Sequence, residues 1–461
     1  MHVLVTGATG LVGRKVCQKF LELGYNLTVI GRSDEKKFRK NFSFPCNYLT
    51  WTNVKAFSAK SIKVNKFDVV VHLSGESIAD GKWTKSKKER IYNSRVEKTR
   101  LLVRFLLENS LEPEVFISAS ATGFYGESKS ENAFTEADKP GGGFLAEVCI
   151  DWEGASKKIK KVSRLVHLRF GLVFDNSGGF LAEMEPIFSK GVGGKIASGN
   201  QWMSWVHIDD LVNTIVYSVE NKNLQGPVNV VAPEPVRNKE WTKEFAKVLK
   251  MPALFTVPKI ALKIGLGEKA ILALQSQKVV PDKLLKTNFN FEYPNVKKCL
   301  QNLYAWKKKS TDQLFEEKIW LNHSIEKVFD FFADEKNLES ITPKELQFNV
   351  VDMSTPKITK GTEIKYKLKI HGVPAKWKTK ITVWDPPSTF VDNQESGPYS
   401  KWHHTHSFHN LKGGTLMNDR VIYRLPFGLL GSLIASRFVK NDIKNIFSHR
   451  QNTIVALFPK E

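Results

Sequence analysis

Three glycines are spaced through Gly7-Ala8-Thr9-Gly10-Leu11-Val12-Gly13, directly after the apolar run His2 to Thr6. The context gives that spacing a chemical reading. A turn between strand and helix leaves the first helical N–H groups unpaired at the positive end of the helix dipole, and a pyrophosphate reaches them only where side chains are missing. Gly7, Thr9, Gly10, Leu11, Val12 and Gly13 are therefore the candidate phosphate cradle of a dinucleotide cofactor. After a second apolar run, Asn26 to Ile30, comes Gly31-Arg32-Ser33 in place of the acid that holds the ribose hydroxyls in NAD enzymes. A guanidinium fork suits a 2′-phosphate, so Arg32 points to NADP (NADPH) over NAD, the alternative being a solvated surface arginine. Ser74 and Gly75 close a third run, Val69 to Leu73, and are small enough to let the cofactor pass; Ser118 ends a fourth, Val115 to Ser118.

These residues need a scaffold. Arg14 to Leu23 has the apolar spacing of a helix stopped by Gly24, and a second helix is expected from about Lys85 to Asn109. Strands alternating with helices imply a parallel sheet covered on both faces. The pattern continues through a strand in VHLRFGLVF and a helix starting near Asp209, with Asp209 as its cap and Asp210 paired locally. Residues 1–233 are expected to form this sheet domain, 234–305 a small helical element with strand pieces, and the polar stretch 306–311 a linker. From 312 to 461 the character changes: alternating segments such as GTEIKYKLKI and WKTKITVWD indicate an antiparallel sheet, with helices over Ser324 to Glu339 and Leu429 to Leu457.

A chain of 461 residues, 41% hydrophobic, is long enough for two or three cores. Its four cysteines lie far apart, so neither a disulfide framework nor a zinc site is suggested, and a reducing, cytoplasmic compartment is expected. The apolar run Phe427 to Val439 is shorter than the roughly 20 residues a membrane span needs. The net charge of +22, from 69 Lys plus Arg against 47 Asp plus Glu, is spread over the whole chain without a nucleic-acid motif, so no nucleic-acid partner is expected.

The segments TGATGLVG, HLSGESIADGKWT, SRVEKTRLLV, ISASATGFYG, GGGFLAEVCIDWE, LRFGLVF, WMSWVHIDDLV and GPVNVVAPEPV together resemble the atypical extended short-chain dehydrogenase/reductases grouped as epimerase family proteins, over about residues 1 to 305. The resemblance implies a Rossmann-type doubly wound α/β sheet and an NADP-type cofactor. Extended members carry a Ser or Thr with a Tyr-x-x-x-Lys pair, in which lysine lowers the tyrosine pKa so that the phenol exchanges a proton while hydride moves. Ser120 matches the serine. Where the pair should stand the sequence reads Phe144-Leu145-Ala146-Glu147-Val148, and neither Phe144 nor Val148 can do that chemistry. Tyr125, Glu147 and Cys149 are the nearby candidates for the missing proton donor; Tyr125 is carried forward with Ser120 as catalytic, against the alternative that it packs in the pocket. Arg169 matches a position near the substrate end of such folds.

Residues 312–461 resemble the START-like helix-grip (SRPBCC) superfamily, in its polyketide cyclase/dehydrase and ubiquinone-binding-protein-like branch. The segments that carry this are IWLNHSIEKVFDFFADEKNLESITP, KWKTKITVWDPPSTFVDNQESGPYSKWHHTHSF and the final helix. It implies an α+β domain whose apolar cavity takes a lipid or isoprenoid ligand. In HHTHSFHN, strand alternation puts His404 and His406 on one face and His403 on the other, so the histidines do not converge simply and no metal site is expected. Two functions stand: an NADP-dependent oxidoreductase or epimerase-like enzyme on an unidentified small molecule, apolar ones included, or a non-catalytic NADP-binding sensor or scaffold that controls the C-terminal domain or a partner.

Overall fold

The computed structural model describes residues 1–56, 66–128 and 131–459, leaving aside the side chains of 429, 430, 432 and 433. It comprises two units, Met1–Phe42 with Cys46–Ala305, and Ser43–Pro45 with Trp306–Glu461.

The sheet of the first unit is ordered Gly226–Val230, Arg164–Phe170, Val115–Ala121, Val69–His72, His2–Thr6, Asn26–Gly31, Asn47–Thr50, and every neighbouring pair is parallel. Continuous apolar runs such as Val3 to Val5 and Val69 to Val71 are buried because helices cover both faces. The chain leaves the central strand His2–Thr6 in one direction and returns to its other side at Val69–His72. That topological switch point opens a crevice at the carboxyl ends of the two strands, where Gly7 and Leu73 to Gly75 lie. Helix Leu11–Glu22 turns Val16, Cys17, Phe20 and Leu21 inward, and helix Lys85–Glu108 begins at Thr84, whose side chain accepts the Lys87 N–H.

Local chemistry explains the departures from expectation. VHLRFGLVF forms two strands, Arg164–Phe170 and Leu172–Asp175. A Cβ at the intervening Gly171 would sit 2.6 Å from the Ser204 carbonyl oxygen, and beyond it the chain pairs with Trp205–His207 instead of the main sheet. Helix Ile208–Glu220 is capped by the His207 ring, not by Asp209: Nδ1 accepts the Asp209 N–H at 3.0 Å. Asp210 is not paired locally either. Its buried carboxylate accepts the N–H groups of Glu292 and Tyr293 at 2.8 and 3.0 Å.

The second unit is a seven-stranded antiparallel sheet ordered Gln313–Leu321, Gly414–Arg424, Lys401–Leu411, Thr389–Ser396, Val373–Asp385, Glu363–Ile370, Asn349–Met353. The expected early helix is two, Ile325–Phe332 and Glu335–Ser340, because Asp334 caps a new helix after Ala333 ends the first. The 30-residue helix Gly428–Leu457 closes the unit, with Phe329, Phe408, Met417 and Ile454 among its buried apolar cluster. No helix among the described residues is long and apolar enough to cross a membrane.

Candidate functional site

The glycine turn is built from close approaches. Gly7 has φ +74°, and a Cβ there would lie 2.7 Å from the Leu73 carbonyl oxygen. A Cβ at Gly13 would lie 2.2 Å from the Gly7 oxygen, so Gly13 lets the helix press against the turn. Gly10 differs: its Cβ would meet only the Gly7 oxygen, at 3.3 Å, and no side chain caps the helix that follows. The first helical N–H groups thereby have no side-chain cap, with Thr9 and Gly10 exposed and Leu11 and Val12 half-buried around them.

The Thr6 hydroxyl ties the turn to the crevice wall, bonding the His72 Nδ1 at 2.7 Å and accepting the Ser74 N–H at 3.3 Å. The other His72 nitrogen meets Thr99 Oγ1 at 2.9 Å, and burial drives the ring pKa down to about 3, keeping it neutral. Arg32 stands beside this crevice with its side chain 86% exposed, 3.9 Å from Glu76. Glu76 also takes Lys87 at 2.9 Å and lies 3.7 Å from Arg90; the Lys87 hydrogen bond leads in holding its carboxyl below the usual range. Behind Gly75 the Arg95 guanidinium would be 3.2 Å from an added Cβ, and it donates to the Glu76 carbonyl at 3.0 Å. Ser118 is buried, its hydroxyl donating to the Ala119 carbonyl at 3.2 Å.

Ser120 and Tyr125 occupy a buried polar network. Ser120 Oγ donates to Glu153 Oε1 at 2.8 Å, and Arg169 grips both oxygens of the same carboxylate at 2.8 and 2.9 Å. The Tyr125 hydroxyl accepts from Arg169 at 2.8 Å and donates to Asn229 Oδ1 at 2.7 Å. Burial pushes the phenol up to about 12, outweighing Arg169, which draws it down. The Arg169 guanidinium also covers the Phe124 ring at 3.5 Å. In the tyrosine position Phe144 is half-buried, edge-on to Trp83, with the Lys88 ammonium 5.2 Å above its face. Val148 is buried and Glu147 is exposed. Burial raises the Cys149 thiol to about 11, with Glu153 adding to the shift, so it stays protonated at neutral pH.

In the second unit a cavity of about 610 Å³ is lined largely by apolar groups, Phe332, Ile341, Trp377, Phe390, Trp402 and Phe447 among them. His404 and His406 also reach its wall and are buried, whereas His403 turns to Asn393 and His409 is exposed. The two inward histidines meet Asp392 and Asp419 from the neighbouring strands, a convergence that alternation within one strand does not reveal.

A family model described as "NAD dependent epimerase/dehydratase family" matches residues 3–231, a "domain of unknown function (DUF1731)" residues 257–303, and "polyketide cyclase / dehydrase and lipid transport" residues 321–450. The "epimerase family protein SDR39U1 homolog, chloroplastic" of Arabidopsis thaliana is 37% identical over 303 residues, 65% of this chain and 86% of that protein. The chain belongs to the epimerase family. A Staphylococcus haemolyticus epimerase family protein is 34% identical, matched over 65% of this chain and 98% of its own length. Among solved structures, human epimerase family protein SDR39U1 with NADPH superposes with a TM-score of 0.60 at 26% identity, covering 66% of this chain and 99% of that one. The epimerase-family match thus accounts for the parallel-sheet unit, and the polyketide-cyclase match for the antiparallel one.

Among the residues singled out from the sequence, those of the glycine turn gather with Ser74 and Gly75 at the crevice, and Arg32 stands at its edge. Ser120, Tyr125 and Arg169 gather in a separate buried network. Sequence reasoning missed Arg95, Glu153, Asn229, Asp392 and Asp419. Glu153 and Arg95 lie within the segments that carry the family resemblance; Asp392 and Asp419 come from the two strands that neighbour the histidine strand, and ladder register brings them to the rings.

Proposed function

We propose that this epimerase-family chain binds NADPH in preference to NADH and works as an oxidoreductase or epimerase-like enzyme on an apolar small molecule, its C-terminal cavity holding a lipid- or isoprenoid-class ligand. The observation that carries the reading is the Gly10 cradle with the exposed Arg32 guanidinium beside it, where an NAD enzyme carries an acid. The human relative solved with NADPH supports the same preference. When bound, NADPH supplies a hydride with its electron pair. The backbone N–H groups after Gly10 hold the pyrophosphate, Arg32 pairs with the 2′-phosphate and Gly75 leaves room for the nicotinamide half. Ser120 and Tyr125 are the candidate catalytic hydroxyls of this reading, and Arg169, held by Glu153, positions the Tyr125 phenol.

One observation favours a second reading, that of a cofactor-occupied sensor or scaffold: Phe144 and Val148 stand where a proton-donating pair would, and the Ser120 and Tyr125 hydroxyls donate to Glu153 and Asn229. Titration calorimetry with NADPH and NADH, followed by a scan of quinones, ketones and nucleotide sugars at the nicotinamide absorbance band, decides between them. Turnover with any substrate class supports the enzyme; tight binding with none supports the sensor. Replacing Arg32 with alanine should weaken NADPH at least tenfold, as expected for loss of a charge-assisted hydrogen bond worth ~1.5–3 kcal/mol, and leave NADH unchanged. Equal losses for the two cofactors would remove Arg32 from this role.

A further inference from the structure

Asp392, His404 and His406 lie on three ladder positions that face the C-terminal cavity. His404 stands directly across from Asp392, and His406 directly across from Asp419 on the other neighbouring strand. One oxygen, Asp392 Oδ2, is 3.4 Å from His404 Nδ1 and 3.2 Å from His406 Nε2. The opposite nitrogen of each ring faces one oxygen of Asp419: His404 Nε2 at 3.1 Å and His406 Nδ1 at 2.7 Å. Among the described residues this is the one cluster whose His and carboxylate ligand atoms all fall within 4.8 Å of one another.

Counting protons exposes a shortfall. Two neutral imidazoles carry one N–H each, yet four ring nitrogens point at carboxylate oxygens. The directed hydrogen bonds are His404 Nε2 with Asp419 at 3.1 Å and His406 Nε2 with Asp392 at 3.2 Å, so with one N–H per ring the two Nδ1 lone pairs face carboxylate oxygens, His404 at 3.4 Å from Asp392 and His406 at 2.7 Å from Asp419, a repulsive arrangement in a buried site. With the His406 proton on Nδ1, toward Asp419, His404 Nδ1, His406 Nε2 and Asp392 Oδ2 all offer lone pairs to a cation between them. The separations suit that: two donor atoms each about 2.1 Å from one ion are about 3.0 Å apart at a right angle and about 3.4 Å apart at the tetrahedral angle. Asp419 does not line the cavity and sits behind the rings, where a carboxylate orients metal-bound histidines through their remaining N–H groups. The His406 Nδ1 makes no well-directed hydrogen bond despite its 2.7 Å approach to Asp419.

We propose that Asp392, His404 and His406 bind a divalent first-row transition metal, Zn2+ or Fe2+, with Asp419 fixing the two imidazoles. Two histidines and one carboxylate leave coordination positions open, and these face the apolar cavity. The site would take an oxygen donor, such as a ketone, enolate or hydroxyl, on an otherwise apolar molecule. This inference is independent of cofactor binding in the first unit.

The test uses the full chain, stripped with chelator and titrated with Co2+ and Zn2+ at pH 7.5. One Co2+ per chain with a nitrogen/oxygen-type visible spectrum is expected, displaced by Zn2+. Asp392→Asn and His404→Gln should each abolish it, Asp419→Asn should weaken it 10- to 100-fold, and His409→Ala, on the exposed side of the same strand, should leave it unchanged. X-ray absorption of the Zn2+-loaded natural sequence should show imidazole scattering without sulfur, whether or not the variants fold. Absence of stoichiometric binding at low-micromolar metal, binding untouched in folded Asp392→Asn and His404→Gln, or a sulfur-ligated ion would each overturn the proposal; in the first case the two rings are protonated partners of the two aspartates.

Discussion

A methyl group at position 13 would be driven to 2.2 Å from the Gly7 oxygen, but one at position 10 would meet that oxygen only at 3.3 Å. The two glycines therefore separate fold from function. Gly13→Ala should destabilise the first unit by roughly 1–3 kcal/mol through overpacking. Gly10→Ala should change stability by less than about 1 kcal/mol while reducing NADPH affinity at least tenfold, because its methyl enters the pyrophosphate space. Denaturant unfolding and calorimetric titration of both variants check the contrast, and a Gly10→Ala chain that binds normally would move the cradle elsewhere. His72 gives a pH signature at the same scale. In the folded chain its ring takes a proton only near pH 3, whereas an unfolded histidine does so near 6.5. Between these values the unfolded state holds the extra proton, so the His72 contribution is complete above about pH 6.5 and is lost as pH falls toward 3. One such group changes unfolding free energy by ~1.4 kcal/mol per pH unit in that window. His167, lowered to about 4 chiefly by burial, acts in the same direction, and Asp210, raised to about 6 by burial, opposes both only between its unfolded value and about pH 6. Replacing His72 with asparagine should flatten the acid limb of the stability profile by about one proton, as measured by urea unfolding between pH 4 and 7.

At the scale of elements, the network of Ser120, Glu153, Arg169, Tyr125 and Asn229 pins three neighbouring strands of the sheet to the helix Phe144–Ala155 and to the short turn Thr122–Tyr125. Its centre is a bidentate ion pair with both partners largely out of water. Removing one partner strands the other charge, so Glu153→Gln should cost about 3 kcal/mol or more. Tyr125→Phe, which leaves Asn229 Oδ1 and one Arg169 N–H unpaired, should cost about 1–3 kcal/mol. Chemical denaturation reads both; a Glu153→Gln variant as stable as the natural sequence would show that the pair is not what anchors this helix.

On the scale of the whole molecule, one unit carries the proposed cofactor crevice and the other the apolar cavity. A ligand stabilises the unit that binds it by RT ln(1 + [L]/Kd), about 2.7 kcal/mol at a hundredfold excess over Kd. Calorimetric scans with saturating NADPH should therefore raise the melting of the parallel-sheet unit and leave the transition of the antiparallel unit in place. A uniform rise of both would show that the two melt as one cooperative body.

The glycine turn was legible in the sequence because the geometry of a helix N-terminus is local: strand, turn and helix lie within consecutive residues, and the spacing alone reports it. The doubly wound sheet and the helix-grip domain were legible through periodicity and family resemblance. Other features depended on pairing between distant segments. Asp210 meets amides beyond residue 290, and Glu153 meets Arg169 only because a helix folds back over the sheet. His404 and His406 shared a face by alternation, yet the acids opposite them come from two other strands, and ladder register is set by the whole sheet. Local backbone chemistry is written in neighbouring residues, whereas the partners of a buried charge are chosen by topology; the sequence therefore determined the glycine turn, and tertiary structure decided which buried polar groups meet which partners.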